Sequence, residues 1–261
     1  MTILVNVERR DAVSVIWLTD AARRNALSVA LVTQLLDALA TSRSDGARAV
    51  VLASREKAFC AGADIRDMLE SGWLDAKPGE EGAPTPPDLF AAIEADGRPI
   101  IAAVDGLALG GGVELCLSCD LVVASPTASF MFPELGLGVL PNTALARLPE
   151  LVGVRAATDL ILTRRRIDAA EALRLGIVSA VADGASAVDH AVATARDIVG
   201  GSPPTALAAA KRYLRRGRDW PAIRLVLADM DAAEWREGTT AFVEKRPPQY
   251  DRFWFSAASD A

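Results

Sequence analysis

Two segments of small residues could present backbone N–H groups to a ligand. They are Ala61-Gly62-Ala63-Asp64 and Gly110-Gly111-Gly112. Each lies between a predicted buried strand and a predicted helix, where free amides collect and the helix dipole favours negative charge. A single junction of this kind is more typical of an ordinary tight turn. Two of them on adjacent strands predict an oxyanion hole built from the backbone.

Two glutamates could move protons beside these loops. Glu114 lies in the first turn of the helix predicted after the glycines, and Glu134 follows Pro133 in the apolar stretch 130–138. Taken separately, Glu114 is a charge favourable to the helix dipole and Glu134 is a solvated loop acid. Taken together beside an oxyanion hole, two carboxylates can place a water molecule and transfer a proton.

The sequence contains few residues that could support histidine, cysteine or metal catalysis. The single histidine, His190, falls in a predicted surface helix near 188–198 and has no evident polar partner. Cys60, Cys116 and Cys119 are sparse, so we expect buried thiols rather than a disulfide framework, a redox pair or metal ligands. No metal-ligand spacing, dinucleotide fingerprint or P-loop occurs, and we predict no metal site.

Composition and charge restrict the partners further. The formal net charge of −6 argues against a general polyanion binder, so no nucleic-acid partner is expected, although a local arginine cluster could hold a phosphate-bearing ligand. The 261 residues suffice for one large α/β domain with at most a small appendage. The longest apolar runs, such as 100–104 and 121–124, are far shorter than the ~20 residues of a membrane span. Residues 1–7 resemble a strand rather than a signal peptide, and we expect a cytoplasmic protein.

The elements predicted to carry these residues alternate between strand and helix. An antiparallel hairpin, 3–8 and 13–18, opens the chain, and Ser28 is expected to cap a helix that runs to about residue 40. The next predicted elements are a strand at 47–53, a helix at 65–69, a strand at 100–104, a helix at 111–118 and a strand at 121–124. This alternation implies βαβ crossovers in an α/β fold.

Two later regions have a different composition. Residues 71–88 are rich in Gly, Pro and Glu, which predicts a mobile loop that could close over a ligand. From Thr143 onward the pattern is helical, interrupted by a short predicted strand at 177–181 and by Ser202-Pro203-Pro204. We therefore expect a helical C-terminal appendage.

Five motifs resemble the crotonase (enoyl-CoA hydratase/isomerase) superfamily and occur in its order. They span nearly the whole chain and are Asn25-Ala26-Leu27, Ala61-Gly62-Ala63-Asp64, 106–114, Pro133-Glu134 and 237–246. Any one motif is weak, whereas the ordered set is specific. The resemblance implies a crotonase-type α/β spiral of repeated ββα units over residues 1–201. It also implies a helical region, 202–261, that associates subunits into homotrimers or homohexamers.

The same resemblance implies roles for individual residues. The backbone amides of Ala63 and Gly111 would hold the thioester oxygen of an acyl-CoA as that oxygen gains charge. Glu114 would activate water for attack on the β-carbon, and Glu134 would deliver a proton to the α-carbon. The expected reaction is hydration of a trans-2-enoyl-CoA to a 3-hydroxyacyl-CoA. No separate cofactor is expected, because CoA is carried by the substrate.

The resemblance also implies positive charge around the phosphates of CoA. The residues expected to contact CoA are Arg23, Arg24, Ala61, Asp64, Ile65, Arg66 and Lys245. For each cation in this set, the alternative is an ordinary solvated surface charge.

Two positions depart from the family pattern. Asn142 stands where the family typically has a glycine whose N–H helps to hold the catalytic water, and Met131 replaces a frequent glycine. Both substitutions add bulk near the expected acyl pocket. Isomerisation, decarboxylation, hydrolysis or dehalogenation of an acyl-CoA therefore stay open as alternatives, as does non-catalytic binding of an acyl-CoA.

Overall fold

The computed structural model describes residues 2–71, 82–184, 186–216 and 231–254. Its strands are β1 (Val5–Arg10), β2 (Val13–Leu18), β3 (Ala49–Ser54), β4 (Ala58–Cys60), β5 (Ile100–Val104), β6 (Leu107–Leu109), β7 (Leu121–Ala124), β8 (Ser129–Met131), β9 (Ile167–Asp168) and β10 (Ala180–Val181). Its α-helices are α1 (Val29–Ser44), α2 (Ile65–Ser71), α3 (Pro86–Ala95), α4 (Gly111–Ser118), α5 (Asn142–Val152), α6 (Val154–Thr163), α7 (Ala169–Leu175), α8 (Ala187–Gly201), α9 (Pro204–Arg216) and α10 (Ala232–Glu244).

The strands form two sheets. The larger has the order β1-β2-β3-β5-β7-β10, and the smaller has the order β4-β6-β8-β9. The predicted hairpin is confirmed, because β1 and β2 pair antiparallel with Val5 opposite Leu18. From β2 to β10 the larger sheet is parallel. Its central strands are buried along their whole length and are almost entirely apolar, because both faces of the sheet are covered.

The chain winds as a spiral in which each turn adds one strand to each sheet. β3 is followed by β4, β5 by β6 and β7 by β8, and a helical segment then returns the chain to the larger sheet. β4, β6 and β8 pair in parallel. The predicted α/β spiral of ββα units is therefore confirmed, and the loops that follow β4 and β6 lie side by side.

Two apolar layers hold the helices against the larger sheet. On one face, Val188 and Val192 of α8 pack with Val51 and Ile101 of the central strands. The opposite face packs against the smaller sheet, including Phe59 of β4. Buried residues of α1, α3 and α4 belong to the same apolar layer. The side-chain alternation within each strand divides its apolar residues between these layers.

The predicted start of α1 is confirmed, whereas its end lies further along the chain. Ser28 Oγ accepts the N–H of Leu31 at 3.2 Å. The helix continues beyond residue 40 to Ser44, because Ser42 is still fully buried and its Oγ donates to the Leu39 carbonyl at 2.8 Å.

The predicted loop at 71–88 is partly wrong. Residues 72–81 lie outside the described residues, and the expectation of a lid falls mainly on them. The last part of the stretch is helical, because α3 begins at Pro86. Thr85 and Asp88 form a capping box, and proline fits the first turn of a helix.

The C-terminal third is helical as predicted, with two differences in its strands. β9 was not predicted, because a strand of two residues has no periodic pattern. It pairs antiparallel with β8, with Ile167 opposite Phe130. Only Ala180 and Val181 of the predicted strand 177–181 form a ladder, with β7. The division at residue 201 and the association of subunits through 202–261 stay predictions.

The remaining candidate residues are buried or half-buried. All three cysteines are free and buried, and burial raises the pKa of the Cys60 and Cys119 thiols to about 12. His190 lies on α8 and is half-buried rather than fully solvated. Across the described ranges, no group of His, Cys, Asp and Glu side chains is arranged to hold a metal ion. None of the helices described is both long and apolar enough to cross a membrane.

Candidate active site

The two glycine-containing loops meet at the ends of β4 and β6. A Cβ atom added to Gly111 would lie 3.2 Å from the Ala63 nitrogen, and one added to Gly62 would lie 3.3 Å from the Gly111 nitrogen. Gly111 is the first residue of α4, whose first N–H groups have no acceptor within the helix. Within the described residues, no backbone carbonyl accepts the N–H of Ala63 or Gly111. Both amides are therefore available to a negatively charged oxygen.

Close approach of other groups requires glycine at two positions of the second loop. Gly110 has φ +50°, and a Cβ atom there would lie 3.1 Å from Glu134 Cδ and would clash with the Glu134 carboxyl oxygen. A Cβ atom on Gly112 would lie 3.0 Å from the Cys60 Cβ and would clash with the Cys60 carbonyl. The glycines thus allow α4 to begin against β4 and allow the Glu134 carboxyl to lie over the start of α4.

Glu114 is buried and its carboxylate faces the N-terminus of α5. Its Oε1 accepts the N–H of Thr143 at 2.8 Å and the N–H of Ala144 at 3.0 Å. Burial raises the pKa of Glu114, and these two backbone N–H groups oppose that rise because they stabilise the ionised form. The start of α5 therefore fixes one carboxylate oxygen of Glu114.

Glu134 opens a 3₁₀ helix, Glu134–Leu137, directly after Pro133. Burial raises its pKa to about 7, the charge of Glu114 adds to the rise, and its own backbone N–H opposes it. Within the described residues, the buried Oε2 of Glu134 has no hydrogen-bond partner. The interpretation of Glu134 as a solvated loop acid is therefore wrong.

One cavity of about 160 Å³ brings these groups together. It is lined by Ala63, Gly111, Glu114 and Glu134, and by apolar side chains of α2, α3 and the segment before α5. A larger cavity of about 660 Å³ lies along α9 and contains neither glycine loop nor either of these glutamates. Cavity volume therefore does not identify the active site. The candidate catalytic groups line the smaller cavity, which we take as the candidate active site.

Comparison with known proteins agrees with this geometry. The profile of the family described as Enoyl-CoA hydratase/isomerase matches residues 8–252. The chain belongs to this family. A protein of Rhizobium meliloti strain 1021, named probable enoyl-CoA hydratase, is 38% identical over 256 residues that cover 94% of this chain and 96% of that protein. The 2,3-dehydroadipyl-CoA hydratase of Escherichia coli K12 is 37% identical over 254 residues, which cover 94% of this chain and 97% of that protein.

Solved structures of this family have the same fold. The crystal structure of enoyl-CoA hydratase from Mycobacterium tuberculosis H37Rv is similar with a TM-score of 0.81 and 30% sequence identity, covering 94% of this chain and 98% of that chain. The resemblance to the crotonase superfamily is thereby confirmed. The protein is an enzyme of the enoyl-CoA hydratase/isomerase family that acts on acyl-CoA thioesters.

Asn25, which the sequence marks only as part of a family motif, has a clear role in this site. Its side chain is fully buried, its Nδ2 lies 2.8 Å from Ser54 Oγ and 3.0 Å from the Phe59 carbonyl, and its Oδ1 accepts the Asp20 N–H. Leu27 N–H then donates to the Gly62 carbonyl at 2.7 Å. Asn25 therefore holds the loop that presents the Ala63 amide.

The residues expected to contact CoA lie in three different environments. Ala61 and Ile65 line the cavity. Arg23 Nη1 lies 2.9 Å from Asp64 Oδ2, while Asp64 Oδ1 accepts the Arg66 N–H at 3.0 Å, so Asp64 fixes both the arginine and the start of α2. The side chains of three further cations are exposed: Arg24 and Arg66 beside this loop, and Lys245 at the end of α10. Contact of any of these residues with CoA stays a prediction.

The two departures from the family pattern have different positions. Asn142 is the first residue of α5 and lines the cavity. Met131 does not appear among the described lining residues, but its carbonyl accepts the Gly110 N–H at 2.8 Å. Of the two substitutions relative to the family pattern, Asn142 is therefore the one that lines the same cavity as Glu114 and Glu134.

Proposed function

We propose that the protein hydrates trans-2-enoyl-CoA thioesters to 3-hydroxyacyl-CoA. The observation that carries the proposal is the placement of two free amides, Ala63 and Gly111, and two buried carboxyls, Glu114 and Glu134, around one cavity. Hydration must activate water at one carbon and deliver a proton to the next, so it needs two such groups.

The amides act on the thioester carbonyl oxygen. As hydroxide adds to the β-carbon, the electrons of the C=C bond move to that oxygen, and the N–H groups of Ala63 and Gly111 stabilise the resulting enolate. Loss of one donor of this kind costs about 10²- to 10³-fold in kcat, or roughly 3–4 kcal/mol.

Glu134 is the proton donor to the α-carbon. With a pKa of about 7, Glu134 can be protonated near neutral pH, as a proton donor must be. Its buried Oε2 has no hydrogen-bond partner in the described residues, so transfer of its proton would break no protein hydrogen bond at that atom.

Glu114 accepts the proton of the attacking water. Thr143 and Ala144 hold its Oε1, which leaves Oε2 to orient the water molecule. Protonation of Glu114 and deprotonation of Glu134 balance over one turnover, and exchange with solvent restores the starting state.

The CoA moiety is proposed to lie along the loop after β4. Arg23, Arg24 and Arg66 lie at or near this loop, and positive charge there compensates the phosphates in an otherwise acidic protein. The proposed contacts also include Ala61, Asp64, Ile65 and Lys245. Homotrimers or homohexamers are the proposed assembly.

The test is hydration of crotonyl-CoA, followed as loss of the enoyl thioester absorbance. The wild-type protein should turn over, and Glu114→Gln and Glu134→Gln should each lose at least about 100-fold in kcat, because each removes one proton-transfer group. Glu150→Gln, which removes an exposed carboxylate of α5, is the matched control. Absence of turnover by the wild-type protein across short and long chains would exclude the hydratase.

A 3-enoyl-CoA isomerase is the second candidate. Its specific support is that Glu134, among the described residues, combines a pKa of about 7 with an unpartnered carboxyl oxygen, and one such group suffices to move a proton between the α- and γ-carbons. Turnover of 3-hexenoyl-CoA to 2-hexenoyl-CoA, unaffected by Glu114→Gln, would favour the isomerase. Acyl-CoA binding without turnover, with the same affinity in the wild type, Glu114→Gln and Glu134→Gln, would favour a non-catalytic binding protein.

A further inference from the structure

α4 and α5 are joined by polar contacts at two levels, one helical turn apart. At the first level, the N–H groups of Thr143 and Ala144 donate to Glu114 Oε1 at 2.8 and 3.0 Å. At the second level, Arg147 Nη1 of α5 donates to the Leu117 carbonyl of α4 at 3.1 Å. On each helix the second partner follows the first by about one turn, so both contacts lie between the same pair of helix faces.

The guanidinium group of Arg147 is held on both of its terminal nitrogens. Nη2 forms an ion pair with Glu94 of α3, while Nη1 makes the bond to Leu117. The Leu117 carbonyl belongs to the last turn of α4, where carbonyl groups have no acceptor role within the helix and where positive charge is favourable. Because the guanidinium group is planar and rigid, Arg147 fixes the position of α5 relative to both α3 and α4.

The hydrogen bonds to Glu114 depend on where α5 lies. Their donors are backbone N–H groups, so no side-chain rotation in α5 can restore them once the helix has moved. A displacement of α5 by about 1 Å would take both distances beyond the usual range of about 2.7–3.2 Å. A residue that fixes α5 against α4 therefore also fixes the Glu114 carboxylate.

We propose that Arg147 is a positioning residue for Glu114, because it holds α5 where the N–H groups of Thr143 and Ala144 meet the carboxylate. The proposal rests on the hydratase function given above, in which Glu114 is ionised and accepts a proton from water. Arg147 lines the larger cavity along α9, and it does not appear among the described residues that line the active-site cavity. Its action on Glu114 therefore passes through α5.

A second arginine provides a matched control. Arg215 of α9 also binds the end of α4, since its Nη2 donates to the Ser118 carbonyl at 2.7 Å. The same nitrogen lies 3.1 Å from Asp120 Oδ1, and Nη1 lies 3.8 Å from Glu94 Oε1. These partners belong to α3, to the end of α4 and to the segment before β7. Replacement of Arg215 thus disturbs the end of α4 while leaving the contact between Arg147 and α4 in place.

The charged groups around these residues are distributed between the two cavities. In the active-site cavity, Glu114 faces the carboxyl of Glu134. Arg147 shares the larger cavity with two acids and two cations, which are Asp120, Glu150, Lys211 and Arg215. Lys211 and Arg215 both pair with Asp120. The variants compared below keep all of these groups except the one that is replaced.

The first test is the pH profile of kcat/KM for crotonyl-CoA in the wild type, Arg147→Met and Arg215→Met. The two N–H groups favour the ionised form of Glu114, so their loss raises the pKa of this carboxyl and moves the acid limb of the profile to higher pH. Relative to the wild type, Arg147→Met should lose at least about tenfold at pH 5 and less than about threefold at pH 8. Arg215→Met should keep the shape of the wild-type profile. A profile of Arg147→Met parallel to that of the wild type, or an equal displacement in Arg215→Met, would overturn the proposal.

The second test requires no turnover. Urea unfolding at pH 5 and pH 8 is compared for the wild type, Arg147→Met, Glu114→Gln and the double variant. A carboxyl whose pKa is raised by folding destabilises the protein only above its unfolded pKa, so Arg147→Met should lose more stability than the wild type as the pH rises. The excess should be at least about fivefold in the unfolding equilibrium constant and should vanish in the Glu114→Gln background. Loss of the ion pair with Glu94 is common to both backgrounds and cancels.

The two tests separate the positioning role from the hydratase. An excess that persists in the Glu114→Gln background would overturn the role of Arg147, even in a protein that hydrates crotonyl-CoA. An excess that vanishes there, in a protein without hydratase activity, would support the role of Arg147 and exclude the hydratase. If Arg147→Met does not fold, Arg147→Lys keeps the positive charge and removes the planar two-ended contact, and the same comparison applies.

Discussion

Replacement of Glu134 by glutamine should change how the stability of the protein depends on pH. The pKa of Glu134 rises from 4.5 to about 7 on folding, chiefly through burial. A carboxyl whose pKa is raised by folding costs nothing below the unfolded pKa, where both states are protonated. Its cost develops between about pH 4.5 and 7 and is complete above the folded pKa. At about 1.4 kcal/mol per pKa unit, the limit is about 3 kcal/mol, and partial solvation of the carboxyl reduces our expectation to about 1–2 kcal/mol.

The assay is urea unfolding of the wild type and Glu134→Gln at pH 5 and pH 8, at one protein concentration because subunit association would also affect stability. The wild type should lose about 1–2 kcal/mol more than the variant between these pH values. Glu150→Gln, in which an exposed carboxylate is replaced, should keep the pH dependence of the wild type. Parallel pH profiles of the wild type and Glu134→Gln would refute the assignment of a raised pKa to this carboxyl.

Three further changes test the framework around the site. Gly110→Ala should lower kcat for crotonyl-CoA at least about 100-fold with an unchanged far-UV circular dichroism spectrum, since the new Cβ displaces the Glu134 carboxyl; wild-type kcat would contradict this. Asn25→Ala should lower the free energy of unfolding by about 2–4 kcal/mol, because several buried hydrogen bonds are lost; a loss below about 0.5 kcal/mol in urea unfolding would count against it. The thiols of Cys60, Cys116 and Cys119 should react with a disulfide reagent only after unfolding; rapid reaction of the native protein would show that they are accessible.

The fold could be predicted from the sequence wherever apolar runs are long or bounded by small residues. The observed limits of β5, β7 and α4 are those predicted, because fully apolar strands and a glycine-initiated helix leave a local signal. β9 leaves no such signal, since Ile167 and Asp168 become a strand only through pairing with β8. α3 shows the converse, because no helix was predicted between residues 69 and 100, although the capping box and Pro86 are visible in the sequence.

The candidate site could be predicted as a set of residues but not as an arrangement. Ala63, Gly111, Glu114 and Glu134 all reach one cavity, as the ordered motifs imply. Two features depend on long-range packing and have no local signature in the sequence. One is the pair of hydrogen bonds from the backbone of α5 to Glu114 Oε1, and the other is the burial that raises the pKa of Glu134. The side-chain contacts of Asn25 likewise join segments distant in the chain, so only the motif was visible.

The most direct test of the central claim is exchange of the α-hydrogens of butyryl-CoA in D₂O, followed by NMR. Butyryl-CoA cannot be hydrated, so exchange reports only enolate formation at the Ala63 and Gly111 amides and proton transfer at the α-carbon. The account predicts exchange by the wild type, a loss of at least about 100-fold in Glu134→Gln, and retention of most of the rate in Glu114→Gln. Exchange by Glu134→Gln at the wild-type rate, or its equal loss in both variants, would contradict the division of roles between the two carboxyls.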